Sequence, residues 1–202
     1  MGLISNGTTI FDNGSMASGF GGSLNFISKQ TASASASISF TSGIDSTYKE
    51  YVFYFVDIHP ASDAVDLQFN MSTDSGSNYN VTKTSTSFRA YHQENDGVSG
   101  VEYRTDDDLA QGTGFQNLSD AIDGANDASF CGYLRLFNPS STTFVKHYIA
   151  NTTFLAHSGS SDYSMNMFVA GYGNTTSAVD AIKFQMNSNN IDAGDIILYG
   201  VS

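Results

Sequence analysis

Short apolar segments alternate with polar turns along the whole chain. The strongest segment, residues 48–58, is almost entirely aliphatic or aromatic, which predicts a central β-strand covered on both sides. His59 and Pro60 are expected to end that strand, because proline cannot extend a hydrogen-bonded ladder. Alternating patterns predict further strands at residues 67–71, 79–84, 88–91, 132–137, 144–150 with an extension to 155, 165–171, 179–186 and 195–201. The turn-rich residues 73–77 predict a hairpin between 67–71 and 79–91.

The first 40 residues have a different composition. Residues 1–37 are rich in Gly, Ser and Asn with widely spaced aromatic residues, and we interpret them as an N-terminal arm or docking segment that becomes ordered on a partner. At the end of this segment and just beyond it, alternate positions carry small or apolar residues and serines fill the others, which predicts a strand over residues 32–40. Residues 38–202 are then a single domain.

The pattern as a whole predicts an all-β protein. It contains eight to ten short strands and no amphipathic helix of useful length, and the connections are too short for the crossover helices of a parallel α/β fold. We therefore expect an antiparallel two-sheet β-sandwich with jelly-roll connectivity. Residues 92–128 predict a long acidic loop with room for a short helical turn in 108–119, and a loop of this length is uncommon unless it has a function or local order of its own.

Charge and cysteine content exclude several classes of partner. The 202 residues include 8 basic and 20 acidic side chains, which give a formal charge of −12. This balance argues against nucleic acid and against an anionic membrane surface, since both bind proteins mainly through Lys and Arg. A single cysteine, Cys131, forbids an intramolecular disulfide, and no apolar run is long enough to cross a bilayer. The first residues lack the basic and apolar regions of a signal peptide, so we expect no secretion.

Motifs for catalysis or metal binding are absent from the sequence. The four histidines do not form a zinc-protease motif, no Gly-x-Ser-x-Gly nucleophile turn occurs, and nothing near Cys131 would activate its thiol. The acidic runs at residues 106–108 and 120–127 could supply oxygen ligands to calcium, but they lack the spacing of an EF-hand, and a solvated acidic loop is favoured. Whether the loop at 92–128 binds calcium is left open. We expect no enzyme activity, no cofactor and no metal.

Tyrosines give the remaining indication of function. Four of them lie in or beside predicted loops, where a ring could stack on a sugar or anchor a protein contact. Ordinary packing at the rim of a sheet is the alternative for each. These candidate contact residues are Tyr91, Tyr103, Tyr163 and Tyr172.

Several strand and turn fragments resemble one class of protein. They are residues 48–53, the stop at 58–60, residues 70–79, residues 136–144 and, most distinctively, the ending Asn-Ile-Asp-Ala-Gly-Asp-Ile-Ile-Leu-Tyr-Gly at 190–200. Over residues 38–202 the chain resembles virion structural proteins of bacteriophages, particularly those that infect marine bacteria and cyanobacteria. These proteins are tail-fibre-like or capsid-decorating β-sandwiches.

The resemblance implies a non-enzymatic structural role on the outside of a phage particle, after synthesis in the host cytoplasm. The protein's partners would be other virion proteins of the capsid or tail. Because proteins of this class commonly assemble as symmetric homo-oligomers, the resemblance also implies a homo-oligomer such as a trimer. The alternative is a lectin-like, receptor-binding module that recognises polysaccharide on the host surface. The resemblance carries no active-site residues over to this sequence.

Overall fold

The computed structural model describes residues 3–6, 8–12, 15–16, 23–159 and 161–202. Within these ranges the chain forms β-strands and no α-helix, so no described helix could span a membrane. The strands are β1 (Leu3–Ser5), β2 (Thr8–Asp12), β3 (Ser15–Met16), β4 (Leu24–Thr31), β5 (Ile38–Phe40), β6 (Glu50–Pro60), β7 (Leu67–Ser72), β8 (Lys83–Gln93), β9 (Ser99–Tyr103), β10 (Gln116–Asn117), β11 (Phe130–Phe137), β12 (Lys146–Ser158), β13 (Ser161–Gly173), β14 (Ala181–Met186) and β15 (Ile191–Val201).

Two antiparallel sheets form the body of the protein. The larger sheet has eight strands in the order β4-β15-β6-β11-β12-β13-β8-β9, and the smaller has four in the order β10-β7-β14-β5. Strands β1, β2 and β3 pair with each other in a separate three-stranded sheet. The predicted all-β, two-sheet sandwich is confirmed, and its jelly-roll connectivity stays a prediction.

Aromatic side chains fill the space between the two sheets. In β6 the alternate residues Tyr51, Phe53 and Phe55 are buried, as the period of two in a strand requires. Across the sandwich the ring of Phe184 in β14 lies 5.4 Å from that of Phe53 and 5.3 Å from that of Phe55. Each such buried ring contributes ~1.5–3 kcal/mol to folding through burial alone, and these edge contacts fix how the sheets stack.

The central strand has the predicted length of 11 residues but begins and ends two residues later than predicted. Strand β6 continues through His59 to Pro60, which is its last residue and needs no further ladder hydrogen bond. Near this end its pairing with β15 shifts register on either side of Ala193. Positive φ angles of 50° at Asp57 and 109° at Gly194 accommodate the irregularity, which has the features of a β-bulge.

The predicted hairpin between residues 67–71 and 79–91 is wrong. Strand β7 pairs with β10 and β14 in the smaller sheet, whereas β8 pairs with β9 and β13 in the larger one. The turn after β7 therefore carries the chain from one sheet to the other. The strand predicted over 32–40 is also mostly absent, because the chain turns at Ala34 with φ of 49° and only β5 is extended.

Two other segments are more ordered than the sequence indicated. Residues 92–128 contain β9 and β10 and no helical turn among the described residues, and backbone hydrogen bonds such as Gly112 N to Lys83 O hold the intervening chain. Within the predicted arm, β4 is the edge strand of the larger sheet, Ala32 is buried, and Ser35 bridges to Ile191.

Candidate functional site

A line of side chains, aromatic at every position except Asn151 in β12, crosses the outer face of the larger sheet. Its residues are directly opposite one another in register across six adjacent strands, so they share one face. We call this set the aromatic row, and in order across β6, β11, β12, β13, β8 and β9 it consists of Tyr54, Tyr133, Asn151, Phe168, Phe88 and Tyr103.

The rings of the aromatic row form two contacting pairs, one on each side of Asn151. Phe88 and Phe168 are stacked with centroids 5.1 Å apart, and Tyr54 meets Tyr133 edge-on at 6.4 Å. Phe88 is 42% exposed and Tyr103 is 52% exposed. At ~4.8 Å per strand the row is ~24 Å long, which is a length suited to an extended ligand or to a protein surface.

Two further rings lengthen the row at its β6 end. Tyr199 of β15 lies 5.8 Å from Tyr54, and Phe26 of β4 lies 5.9 Å from Tyr199. Phe26 is 63% exposed at the edge of the sheet. Aromatic residues therefore reach from one edge strand of the larger sheet to the other.

The parity of each strand explains why these rings point outward. In β6 the core takes Tyr51, Phe53 and Phe55, which leaves Tyr54 on the opposite face. The sequence indicated these outward rings only through apolar residues at positions of both parities within a strand. In β6 this pattern was interpreted as burial on both faces. The row itself could not be predicted, because strand order and register are needed to align the other rings.

The four tyrosines selected from the sequence lie in strands and are divided among three places. Tyr103 ends β9 in the aromatic row, where its hydroxyl donates a hydrogen bond of 2.5 Å to Asp108 Oδ2. Tyr172 lies in β13 on the outer face, with its ring 5.9 Å from that of His147. Tyr91 and Tyr163 come together, with ring centroids 6.3 Å apart.

Tyr91 and Tyr163 line a cleft of about 430 Å³. The guanidinium of Arg89 lies 5.3 Å from the centre of the Tyr91 ring and enters the same cleft. The cleft combines aromatic, aliphatic and charged walls. The other lining residues are Val98, Arg104, Asp120, Ala121, Ser158 and Met165.

Both arginines of the cleft are paired with carboxylates. Arg89 contacts Glu102 at 2.6 Å and also binds Asp120. Arg104 lies 3.0 Å from Asp107 and 3.2 Å from Asp120. The cleft therefore has three carboxylates for two guanidinium groups, and this network ties β8 and β9 to the chain at 107 and 120 rather than presenting free cations to an anionic ligand.

Two residues of the acidic runs considered as calcium ligands, Asp107 and Asp120, are held by protein partners. Asp107 is buried and accepts hydrogen bonds from Arg104 and from Asn117 Nδ2 at 2.7 Å. Asp120 is held by the two arginines. One group retains the composition of a cation site: Asp123, His157 and Asp162 offer ligand atoms within 4.8 Å of one another.

His157 is the basic member of that group. Its Nδ1 lies 2.7 Å from Asp162 Oδ1, and this hydrogen bond raises the pKa of the imidazole, with further help from the negative charges of Asp123 and Asp63. In its protonated form the imidazole forms an ion pair with Asp162. The group at the end of the β12–β13 hairpin therefore combines a pH-dependent ion pair with the composition of a cation site.

Cys131 is half-buried at the start of β11. Its Sγ accepts a hydrogen bond of 3.4 Å from the backbone N–H of Asp57, at the irregular end of β6. His59 and His92 contact Ala125 O and Asp96, each at 3.0 Å. Among the described residues, neither histidine contacts the thiol.

Comparison with known proteins gives no relatives. No family model matches the chain, and neither a curated protein nor a solved structure matches it.

Proposed function

We propose that the chain is a non-enzymatic structural protein on the exterior of a phage particle. It decorates the capsid, contributes to a head fibre or forms a tail-fibre appendage, and it assembles there as a symmetric homo-oligomer. The observation that carries this proposal is the aromatic row. Aromatic side chains exposed on a sheet face, as Phe88 and Tyr103 are in this row, typically mark an interaction site.

The net charge and the resemblance of the sequence to phage virion proteins also support this proposal. A formal charge of −12 suits a position away from packaged DNA, where basic residues would be required to contact phosphates. The resemblance to phage virion proteins is carried by the fragments at 48–53, 58–60, 70–79, 136–144 and 190–200. Its partners would be other capsid or tail proteins.

Particle composition tests this proposal. Gradient-purified particles of the phage that encodes the chain are analysed by quantitative mass spectrometry, and we expect a copy number that fits a symmetric array. A whole-particle density map then distinguishes capsid from tail placement. Absence of the protein from purified particles, with normal expression in infected cells, would contradict the proposal.

Carbohydrate recognition is a second candidate, and the chemistry of the aromatic row favours it. Flat rings present apolar faces on which sugars stack, and the row also offers the phenol hydroxyls of Tyr54 and Tyr133 and the amide of Asn151 as hydrogen-bonding groups. A ligand ~24 Å long that crosses six strands would be an oligosaccharide rather than a single sugar. Host surface polysaccharide is the expected source.

A glycan array with two matched variants tests the second candidate. Tyr103→Ala removes a ring from the aromatic row, and Tyr163→Ala removes one from the cleft on the other side of the sheet. If the row binds glycan, Tyr103→Ala weakens binding about tenfold or more, as expected for an aromatic hot spot, and Tyr163→Ala leaves it within twofold. Loss of binding in Tyr163→Ala alone would place the glycan site in the cleft. If the wild type binds no glycan on the array and neither variant impairs adsorption to the host, carbohydrate recognition is ruled out.

A further inference from the structure

One buried amine has no acidic partner. Lys83, the first residue of β8, is fully buried, and its Nζ donates hydrogen bonds to Asn70 Oδ1 at 2.5 Å and to Val81 O at 2.8 Å. Asn70, in β7 of the smaller sheet, is fully buried as well. Within the described part of the chain, no carboxylate forms an ion pair with Lys83. An uncompensated charge at such a position is costly.

Burial favours the neutral, nucleophilic form of this amine. Desolvation lowers the pKa of Lys83 from 10.5 to about 7, so a large share of the amine is unprotonated near neutral pH. A neutral amine has a lone pair that can attack a carbonyl carbon.

The amide of Asn70 is held in one orientation beside the amine. Its Oδ1 accepts the backbone N–H of Met71 at 2.9 Å in addition to the Lys83 amine. Its Nδ2 donates to three backbone carbonyls, at distances of 2.7 Å to Tyr79, 3.0 Å to Thr113 and 3.3 Å to Gly114. Because the C=O bond is ~1.2 Å long, Lys83 Nζ lies no more than ~3.7 Å from Asn70 Cγ, close to a reactive separation.

We propose that Lys83 and Asn70 form an intramolecular isopeptide bond. The lone pair of Nζ attacks Asn70 Cγ, and the C–N bond to Nδ2 breaks. A proton moves from Nζ to Nδ2, which leaves as ammonia. One C–N bond forms and one breaks, so the step needs no oxidant, reductant or co-reactant.

The surroundings of Asn70 match the charges that develop in this step. The Met71 N–H points at the oxygen that becomes negative as the amine adds, as a donor in an oxyanion hole does. Around Nδ2, the three carbonyl oxygens face the nitrogen that becomes positive as it is protonated and departs. Fixed dipoles at both ends of the amide take the place of a catalytic acid.

The bond would join the two sheets of the sandwich. Asn70 lies in the smaller sheet and Lys83 in the larger one, 13 residues further along the chain. A covalent closure of this loop restricts the unfolded chain as a disulfide does. In a chain with one cysteine, the isopeptide would supply a staple that a disulfide cannot.

Mass spectrometry of the folded, full-length protein tests the bond directly. We expect the intact mass to be lower than the sequence mass by one ammonia. Trypsin cannot cleave after a modified lysine, so the digest should contain residues 50–89 as one peptide that is also lighter by one ammonia. An unlinked chain would instead give residues 50–83 and 84–89.

Variants distinguish formation of the isopeptide bond from other reactions that release ammonia. Lys83→Met and Asn70→Ala should restore the full mass, whereas Lys146→Met should keep the deficit. Lys146 is the matched control because it is also fully buried but its Nζ contacts only the backbone carbonyls of Phe144 and Thr175, at 2.7 and 3.1 Å.

Two outcomes would overturn the proposal, and both are read from the wild-type protein alone. The first is a full sequence mass with complete cleavage after Lys83, following prolonged incubation of the folded protein at pH 8. The second is a mass deficit that persists while cleavage after Lys83 is complete, which would place the loss at an Asn-Gly pair such as Asn6-Gly7 or Asn13-Gly14.

Discussion

At the scale of single residues, His157 offers a direct measure of the electrostatics at the β12–β13 hairpin. The hydrogen bond to Asp162 raises its pKa above the ordinary 6.5. Because the folded pKa is the higher one, the stabilisation from this pair is fully present below about pH 6.5, the unfolded value. It is lost as the pH rises through the folded value.

Titration by NMR checks this prediction. We expect the imidazole resonances of His157 to titrate above pH 6.5, and Asp162→Asn to move the midpoint down toward that ordinary value. A wild-type midpoint at or below pH 6.5, or one that Asp162→Asn leaves unchanged, would contradict the pairing of His157 with Asp162.

Gly194 shows how a single missing side chain permits the pairing of two strands. Its φ is 109°, and a Cβ built there would lie 2.4 Å from Asp57 O and 2.7 Å from Ile58 Cα. Both neighbours are backbone atoms of β6, so they cannot move aside cheaply. We expect Gly194→Ala to lower the free energy of unfolding by about 2 kcal/mol or more, through combined strain and overlap.

Urea unfolding of Gly194→Ala and Gly114→Ala provides the measurement and its control. A Cβ at Gly114 would meet no atom within 4 Å, so that variant should stay within about 0.5 kcal/mol of the wild type. Equal stabilities for the two variants would show that the irregular pairing of β6 with β15 tolerates a side chain.

At the scale of strands, the packing of β14 against β6 holds the two sheets together. The Phe184 ring contacts the rings of Phe40, Phe53, Phe55 and Phe69 and is fully buried. We expect Phe184→Ala to cost about 3–5 kcal/mol, because it removes buried surface and leaves a cavity between the sheets. Phe144→Ala is the control, since Phe144 is 68% exposed and its loss should cost little. Denaturant unfolding compares the two, and a similar small cost for both would contradict this assignment of the core.

Individual strands could be predicted from the sequence, but their pairing could not. Strands with a clear local pattern, such as β11 and β14, were predicted from the sequence because alternation directly reports one buried face. Pairing was not predictable in the same way: β7 and β8 follow each other in sequence but join different sheets. The apolar pattern within one strand carries no information about which other strand it pairs with.

Candidate sites depended on the same missing information. Tyr103 could be selected from the sequence as an exposed ring, but its alignment with Phe88 and Phe168 follows from two strand registers. The contact between Lys83 and Asn70 likewise required both sheets to be in place. Residue type indicated individual candidates, and the topology assembled them into a surface and a buried pair.

At the scale of the whole molecule, the aromatic row could bind a ligand or could be covered by another subunit. The double variant Phe88→Ser with Tyr103→Ser distinguishes these uses, because both rings are exposed and their loss leaves the core between the sheets intact. If the row binds glycan, the variant loses array binding and keeps the oligomeric state of the wild type. If subunits meet through the row, the molar mass from light scattering falls toward the 21.6 kDa of one chain.

We expect the wild type to scatter as a symmetric oligomer, with a trimer as the specific prediction, and the double variant to keep that mass. Rings placed in register across six strands suit an extended ligand or the surface of another virion protein, whereas β4 and β9 are the edge strands of the larger sheet, where a neighbouring subunit can add a strand. Phe144→Ser controls for the loss of an exposed ring elsewhere. A wild type that stays monomeric at every concentration would contradict the oligomer, and a double variant that dissociates would assign the aromatic row to the subunit interface.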